Sequence, residues 1–414
     1  MIPLGNSEST PTLVLITESY PLGGNGEDVF IEPEIRFLAA RFQRVIIVPV
    51  LDFGKNRILP ENIIVERSFL KRPGLYSKFK SLFHRETYKA LFNDLRRIKS
   101  LSDLRSEVAF SAYTLYYSNL INALIAKYGL KPGTALFYTF WFDYATAALA
   151  FSAKGFRFIT RAHGQDLYEE SKPFISRYWR EKTFCRLTRC YTVSKYSANY
   201  LRNLYPDFEE KIHCRYLGTK NPERLNPEIP DKETVNLFSC ARVSPEKRVL
   251  YLCKVIKEYA ARHPELTVKW LHIGDGPEMD KLKRETKKSP KNLKIELTGR
   301  IENTEVRNSL ATNHFDLALL LSSTEGLGVA ICEAMSFGVP VLATDIQAIP
   351  EAVGEVGFLM PLTDDVNKGA DILNKALNVA HSRRRASREH WERHFNAESL
   401  RRSFADEIRH LLEK

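Results

Sequence analysis

Short, continuous runs of β-branched and apolar residues alternate with helix-period segments almost from end to end, and this alternation constrains the fold more than any other feature. Leu13–Thr17, Val45–Val50, Leu136–Trp141, Phe158–Arg161 and Cys190–Val193 read as strands of a first set. Val235–Cys240, Thr267–Ile273, Leu293–Thr298, Leu317–Leu321, Val341–Thr344 and Gly357–Met360 read as strands of a second. Helices fit between them at Glu32–Arg41, Lys247–Arg262, Glu278–Lys287, Thr304–Thr312, Val329–Phe337 and Val366–Ala380. A strand that is apolar at every position must be covered on both faces, and the intervening helices supply that cover. The expected fold class is α/β: two doubly wound, Rossmann-like domains in series. A length of 414 residues suits two large domains, and a hydrophobic fraction of 44% supplies two cores and excludes a disordered chain.

The segment Thr219–Glu233 (TKNPERLNPEIPDKE) holds three prolines and alternating charge without periodicity, which predicts a linker. The expected division is 1–218, a linker at 219–233, a second domain at 234–382, and C-terminal helices at 383–414. The tail carries Leu400, Phe404, Ile408 and Leu411 on one stripe, so it packs rather than dangles. The most membrane-like stretch, Ala135–Ala153, has Asp143 at its middle and reads as a strand running into a helix. Six scattered cysteines contain no C-x-x-C pair, and the first basic residue is Arg36. The expectation is a chain without disulfides or a secretory leader, placed in a reducing cytoplasm.

Lysine and arginine number 61 against 50 acidic residues, a net charge of +11, which points to an anionic partner. The charge is concentrated: residues 71–99 carry nine Lys/Arg against Glu86 and Asp94, a local net of +7. Phe79, Leu82, Phe83, Tyr88, Leu91, Phe92 and Leu95 interleave with these cations. Such a pattern suits either an amphipathic helix lying on an anionic membrane surface or a basic helix packed by its apolar stripe. No nucleic-acid motif accompanies the charge, so nucleic acid is not an expected partner.

Five segments could carry chemistry. In Ser322–Thr344, SSTEGLGVAICEAMSFGVPVLAT, a strand leads into Glu325, Gly326, Leu327 and Gly328, then a helix carrying Glu333. The glycines open the backbone to close approach, and the helix start offers unpaired N–H groups to a diphosphate. The carboxylates can accept hydrogen bonds from sugar hydroxyls, although acidic residues are also favoured at any helix start. SCARVSPEKR places Arg242 and Lys247 at a strand end and helix start, where an anion would lie, although a solvated basic turn reads the same way. HIGDGP, with Gly274, lacks the third glycine of a dinucleotide fingerprint. LGGNG, with Gly23 and Gly24, follows the first strand and reads as a phosphate or acceptor contact or as a plain turn. In TRAHGQDLY, His163 follows a strand beside Gly164, a position suited to a substrate hydroxyl or to a structural histidine.

In chain order, from the early GG turn through His163, Arg242 with Lys247 and GDGP to Glu325 and Glu333, the segments resemble a retaining glycosyltransferase of family four, with the GT-B fold, most strongly over Val235–Leu362. The resemblance implies two Rossmann-like domains facing across a cleft, with the C-terminal helices returning toward the N-terminal, acceptor domain. It implies that Glu325 binds hydroxyls of the donor sugar, that Glu333 binds the ribose, and that Gly326, Leu327 and Gly328 present backbone amides. It implies further that Arg242 and Lys247 neutralise the diphosphate, with Gly23 and Gly24 at the same cleft. Gly274 belongs to the matching GDGP turn, Arg300 falls where the backbone contacts the base, and His163 meets the donor sugar near the reacting carbon. The family has glycine where this chain has Ala241 and Arg248; Arg248 either crowds the helix start or adds a phosphate contact.

The expected reaction moves a hexose-type sugar from a nucleotide diphosphate-sugar, UDP-linked by preference, to a saccharide or lipid-linked acceptor in bacterial polysaccharide or lipopolysaccharide synthesis. Cations and helix N–H groups stabilise the leaving phosphate, and neither a metal nor a cofactor is called for. The sequence has no D-x-D pair, and the adjacent Asp364 and Asp365 read as a helix cap. Peripheral attachment to the inner face of the plasma membrane would suit a lipid-linked acceptor. Two further classes remain: a sugar-nucleotide 2-epimerase, which needs acid–base carboxylates near His163 (Asp166, Glu169 or Glu170), and a non-enzymatic basic binder of membrane or nucleic acid.

Overall fold

The computed structural model describes residues 10–23, 27–54, 57–169, 174–228 and 233–413. Two compact units emerge, one of residues 1–215 with 401–414, the other of 216–400.

The first unit is built on β1 (Thr12–Thr17), β2 (Arg44–Pro49), β3 (Ile63–Val65), β4 (Ala135–Thr139), β5 (Arg157–Ala162), β6 (Arg189–Thr192) and β7 (Ile212–Cys214). They form one parallel sheet in the order β3-β2-β1-β4-β5-β6-β7. Alternate residues of the inner strands enter opposite cores. Val14, Ile46 and Phe137 join one core, while Leu13, Leu15, Val45 and Leu136 join the other. The continuous apolar runs follow from that two-sided cover.

One core is closed by the helix Leu101–Tyr128 through Tyr117, Ile121 and Leu124. Its start is fixed by a capping box of Ser100 and Asp103 and its end by Gly129 in the left-handed region. The other core is closed by Phe404 and Ile408 of the helix Ala397–His410 and by Leu411 just after it. Leu400, expected on the same stripe, is half-buried and lies in the second unit. Ala135–Ala153 is β4 followed by the helix Tyr144–Ser152, whose N-cap Asp143 accepts a hydrogen bond from Ala145 N at 2.8 Å. Among the described residues no helix is long and apolar enough to cross a membrane.

The second unit holds β8 (Thr234–Cys240), β9 (Thr267–Ile273), β10 (Leu293–Leu297), β11 (Leu317–Leu320), β12 (Val341–Thr344) and β13 (Phe358–Met360). All run parallel, in the order β10-β9-β8-β11-β12-β13. The expected boundary at 382–383 falls inside the continuous helix Val366–His394. The described part of the expected linker is fastened to this unit. Asn226 donates to the carbonyls of Leu310 and Asn313, and its own oxygen accepts from Arg384 Nη2 at 2.8 Å. Trp391 donates to Thr219 Oγ1 at 2.7 Å. Prolines remove periodicity, but buried side chains supply the hydrogen bonds that this irregular backbone needs.

Candidate active site

In an open parallel sheet, ligands settle outside the carboxyl ends of the strands where the strand order reverses. In the second unit that reversal lies between β8 and β11. The polypeptide leaving β8 passes Arg242 and forms a short 3-10 turn at Pro245–Lys247; the polypeptide leaving β11 forms the loop Ser322–Gly328. Lys247 Nζ meets Glu325 Oε1 at 2.6 Å, so the two strand ends are joined by an ion pair. Ser322 Oγ donates to the same carboxylate oxygen at 2.8 Å. Ser323 N donates to Glu246 O at 2.8 Å, a second stitch across the reversal. After β12, Gln347 Oε1 accepts from Glu325 N at 2.6 Å and from Thr324 Oγ1 at 3.0 Å. Gln347 and Ser322 therefore hold the Glu325 loop, a function that only their spatial placement reveals.

Gly328 ends the loop at φ +76°, a conformation that side chains rarely adopt, and a Cβ there would press on Ile349 Cδ1 at 2.8 Å. The helix Val329–Ser336 begins at once, directing its first N–H groups toward the loop. Gly326 is half-buried and Leu327 is buried. Arg242 is exposed and makes no ion pair among the described residues, so its guanidinium can receive an anion.

Glu333 lies inside that helix and is buried. Asn303 Nδ2 reaches its two oxygens at 3.3 and 3.2 Å, and Arg307 Nη1 lies 3.2 Å from Oε1. Burial raises the Glu333 carboxyl above the ordinary range, and Arg307 and Asn303 oppose that rise. Asn303 and Arg307 sit on the helix Asn303–Thr312. Their lone polar side chains among ordinary helix formers gave no sign of this contact.

Arg248 adopts φ +50°, the left-handed conformation that explains the glycine of the resembling family. Its guanidinium bonds the Thr363 carbonyl, pairs with Asp364 Oδ1 at 2.6 Å and stacks 4.3 Å from the Tyr251 ring centroid. The side chain is thus engaged away from the Lys247–Glu325 pair. Asp365, next in line, caps the helix Val366–His394, accepting from Asn367 N at 2.9 Å and Lys368 N at 3.2 Å. Gly274 is demanded by packing: at φ +145° its Cβ would fall 1.9 Å from Ala241 O. Its N–H donates to Gly299 O at 2.9 Å, which sets exposed Arg300 beyond the neighbouring strand end.

In the first unit the strand order reverses between β1 and β4. Glu27, buried there, accepts from Glu18 N, Ser19 N and Tyr20 N at 2.8–2.9 Å and from Trp141 Nε1 at 2.8 Å. That carboxylate shapes the turn leading to Gly23, which is buried at φ +75°; Gly24 lies outside the described residues. His163 follows β5, its ring 4.8 Å from Phe140 and 4.4 Å from Trp141, centroid to centroid. It is buried, its Nδ1 stands 3.7 Å from Asp166 Oδ2, and among the described residues neither ring nitrogen has a hydrogen-bond partner. A buried imidazole in that condition is poised to take one from a ligand.

Asp166 accepts from Phe142 N at 2.8 Å and from His163 N. Glu169 pairs with Arg97, and Glu170 lies outside the described residues. Of the two described acidic candidates for epimerase chemistry, Asp166 is engaged in holding the turn, whereas Glu169 is exposed in a surface ion pair.

Residues 234–378 match the model of the family described as Glycosyl transferases group 1. This segment is a group 1 glycosyltransferase domain. The domain carries Arg242, Lys247, Gly274, Arg300, Glu325–Gly328 and Glu333. The chain is 32% identical over 166 residues to N-acetyl-alpha-D-glucosaminyl L-malate synthase of Bacillus anthracis, covering 40% of this chain and 41% of that protein. It is 27% identical over 154 residues to the phosphatidylinositol N-acetylglucosaminyltransferase gpi3 subunit of Schizosaccharomyces pombe, 37% of this chain and 32% of that one. The matches thus span less than half the length of either relative. Among solved structures, a glycosyltransferase from Rickettsia africae superposes with a TM-score of 0.67 at 16% identity, over 97% of this chain and 99% of that one. The lipopolysaccharide outer core galactosyltransferase WaaB gives 0.64 at 16% identity, over 96% and 99%. At such identities the likeness establishes the fold, GT-B, of which the group 1 domain is the second half.

Proposed function

We propose that the chain is a retaining glycosyltransferase that moves a hexose-type sugar from a nucleotide diphosphate-sugar to a saccharide or lipid-linked acceptor. The observation that carries this reading is the Lys247–Glu325 ion pair across the strand-order reversal of the group 1 domain, with exposed Arg242 on one side and the start of the helix Val329–Ser336 on the other. An ammonium has three hydrogens, so Lys247 can keep Glu325 and still donate to a phosphate oxygen. Arg242 and the helix N–H groups add fixed positive charge where the leaving diphosphate develops negative charge. Glu325 then orients donor hydroxyls and Glu333 takes the ribose, while His163 positions the sugar. No step in this scheme calls for a metal.

A UDP-linked donor is favoured; one relative, from Streptococcus gordonii, is named a UDP-N-acetylglucosamine–peptide N-acetylglucosaminyltransferase subunit. The same reading places the reaction in bacterial polysaccharide or lipopolysaccharide synthesis; one relative, 24% identical over 246 residues, is named a protein in the cps region of Klebsiella pneumoniae. The test is thermal stabilisation of the purified chain by UDP, GDP, ADP and NAD, each with and without EDTA. Ligand at a hundred times its dissociation constant adds about 2.7 kcal/mol. An EDTA-insensitive shift with one nucleoside diphosphate is expected. A shift with NAD and with no nucleoside diphosphate would overturn the reading.

A further inference from the structure

The helices Leu75–Ser81 and Arg85–Asn93 turn their faces the wrong way for a solvated surface. On the second of them the inward residues are Glu86, Thr87 and Ala90, followed by Asp94, all buried. The outward residues are Tyr88, Phe92 and Leu95, with Phe92 83% exposed. Leu75, 87% exposed, begins a similar stripe that continues through Phe79, Leu82 and Phe83. Spacings of four residues place Leu75 with Phe79, and Tyr88 with Phe92, on one face of their helices, and Leu82, Phe83 and Leu95 extend these stripes just past the helix ends. The Phe79 and Phe83 rings lie edge to face at 5.1 Å, an apolar pair presented to solvent. A helix packed by its apolar stripe, the alternative reading of this segment, would show the reverse pattern.

The inversion also sorts the charge. Glu86 is held by Tyr178 and Lys182, and Asp94 accepts from Arg177 N at 2.9 Å and Tyr178 N at 3.3 Å. Both acidic residues of 71–99 are therefore buried, while Lys71, Arg72, Lys80, Arg85, Lys89, Arg96 and Lys99 are exposed. The outer face combines protruding apolar side chains with cations, of which Arg85 and Lys89 also reach Glu86, and among the described residues of 71–99 no carboxylate is exposed.

We propose that residues 71–99 dock on the surface of an anionic lipid bilayer. Protruding Leu, Phe and Tyr side chains can enter the boundary between headgroups and acyl chains, and the interleaved cations meet lipid phosphates. A duplex nucleic acid would satisfy the cations through its phosphates and leave the leucines and phenylalanines in water.

The experiment is co-sedimentation of the full chain with vesicles of phosphatidylcholine alone or with about 30% phosphatidylglycerol. Two triple variants accompany it: Phe79→Ser with Phe83→Ser and Phe92→Ser, and Lys80→Gln with Arg96→Gln and Lys99→Gln. All six positions are exposed, and unchanged urea midpoints verify folding. Retention is expected on the anionic vesicles only, weakened about a hundredfold in the charge variant at roughly fivefold per cation, and lost in the apolar variant. Equal retention on both vesicles, retention on neither, or unimpaired retention by either variant would overturn the proposal. Nucleotide binding is a separate readout, so the docking face and the transferase reading can fail independently.

Discussion

Lys247 and Glu325 hold each other across a strand-order reversal, with the Glu325 side chain 9% exposed and Lys247 25% exposed. Truncating Lys247 removes both the partner of that carboxylate and a donor to phosphate. A hydrogen bond to a charged group is worth about 1.5–3 kcal/mol, so Lys247→Ala should weaken nucleoside diphosphate binding by about ten- to a hundredfold in isothermal titration. An unchanged dissociation constant would remove Lys247 from the site. Arg307 acts one step away, through Glu333. Arg307→Ala leaves Asn303 alone against a buried carboxylate, which should become harder to ionise, whereas Arg307→Lys restores the charge. The expected order of nucleotide affinity is wild type, Lys, Ala; identical values in all three would assign Arg307 a purely structural part. At Gly274 the demand is steric. Gly274→Ala drives a methyl group into Ala241 O, and the backbone must shift. A loss on the order of 3 kcal/mol or more in urea unfolding is expected.

Three helices of the first unit meet at a pair of buried carboxyls, and their junction should be sensitive to pH. Glu107, on the helix Leu101–Tyr128, bonds Ser176 Oγ at 2.9 Å, and Asp94 also accepts from Ser176 and from the N–H groups that start the helix Arg177–Arg186. Both carboxyls are fully buried. Burial, reinforced by the charge of Asp94, pushes the Glu107 carboxyl up to about 8. The folded state thus keeps a proton that the unfolded chain releases above its ordinary carboxylate range. Stability is fully present below about pH 4.5 and is lost as pH rises toward 8, by up to a few kcal/mol. Glu86 works in the opposite direction. Burial alone would raise it, but hydrogen bonds from Lys182, Tyr178 and Lys89 bring it down to about 2, so its contribution fades as pH falls from 4.5 toward 2. Urea midpoints at pH 5.5 and 8.5 check this: the alkaline loss should be present in the wild type and flattened in Glu107→Gln. An equal slope in both proteins would exclude Glu107 as its source.

Chain connectivity gives the first unit a part from each end of the sequence. Phe404, Ile408 and Leu411 complete the core that begins with Leu13 and Leu15, and Glu407 pairs with Arg189 and Arg215. Deleting residues 401–414 strips three large apolar side chains from that core, each worth about 1.5–3 kcal/mol. Calorimetry should show the first unit unfolding at a lower temperature and the second unit little changed; an unmoved first transition would show that the core closes without this helix. The same unit shows where reading the chain in order succeeds and stops. Leu13–Thr17 and Leu136–Trp141 are legible as strands because every residue between two helical layers must be apolar. Leu101–Tyr128, flanked by Ser100 and Gly129, is not legible as a helix because tyrosines, serines and charges blur its stripe. Arg242, Lys247 and Glu325 are legible as strand-end and helix-start positions, and Glu333 as a residue within the following helix, since backbone geometry there depends on neighbours in sequence. Contacts such as Arg307–Glu333, Gln347–Glu325 and Arg248–Asp364 join residues separated by crossovers, and strand order chooses which of them meet. The outward turn of Tyr88 and Phe92 was settled the same way: a helical repeat defines two faces, and packing against Arg177–Arg186 selected the one that carries Glu86.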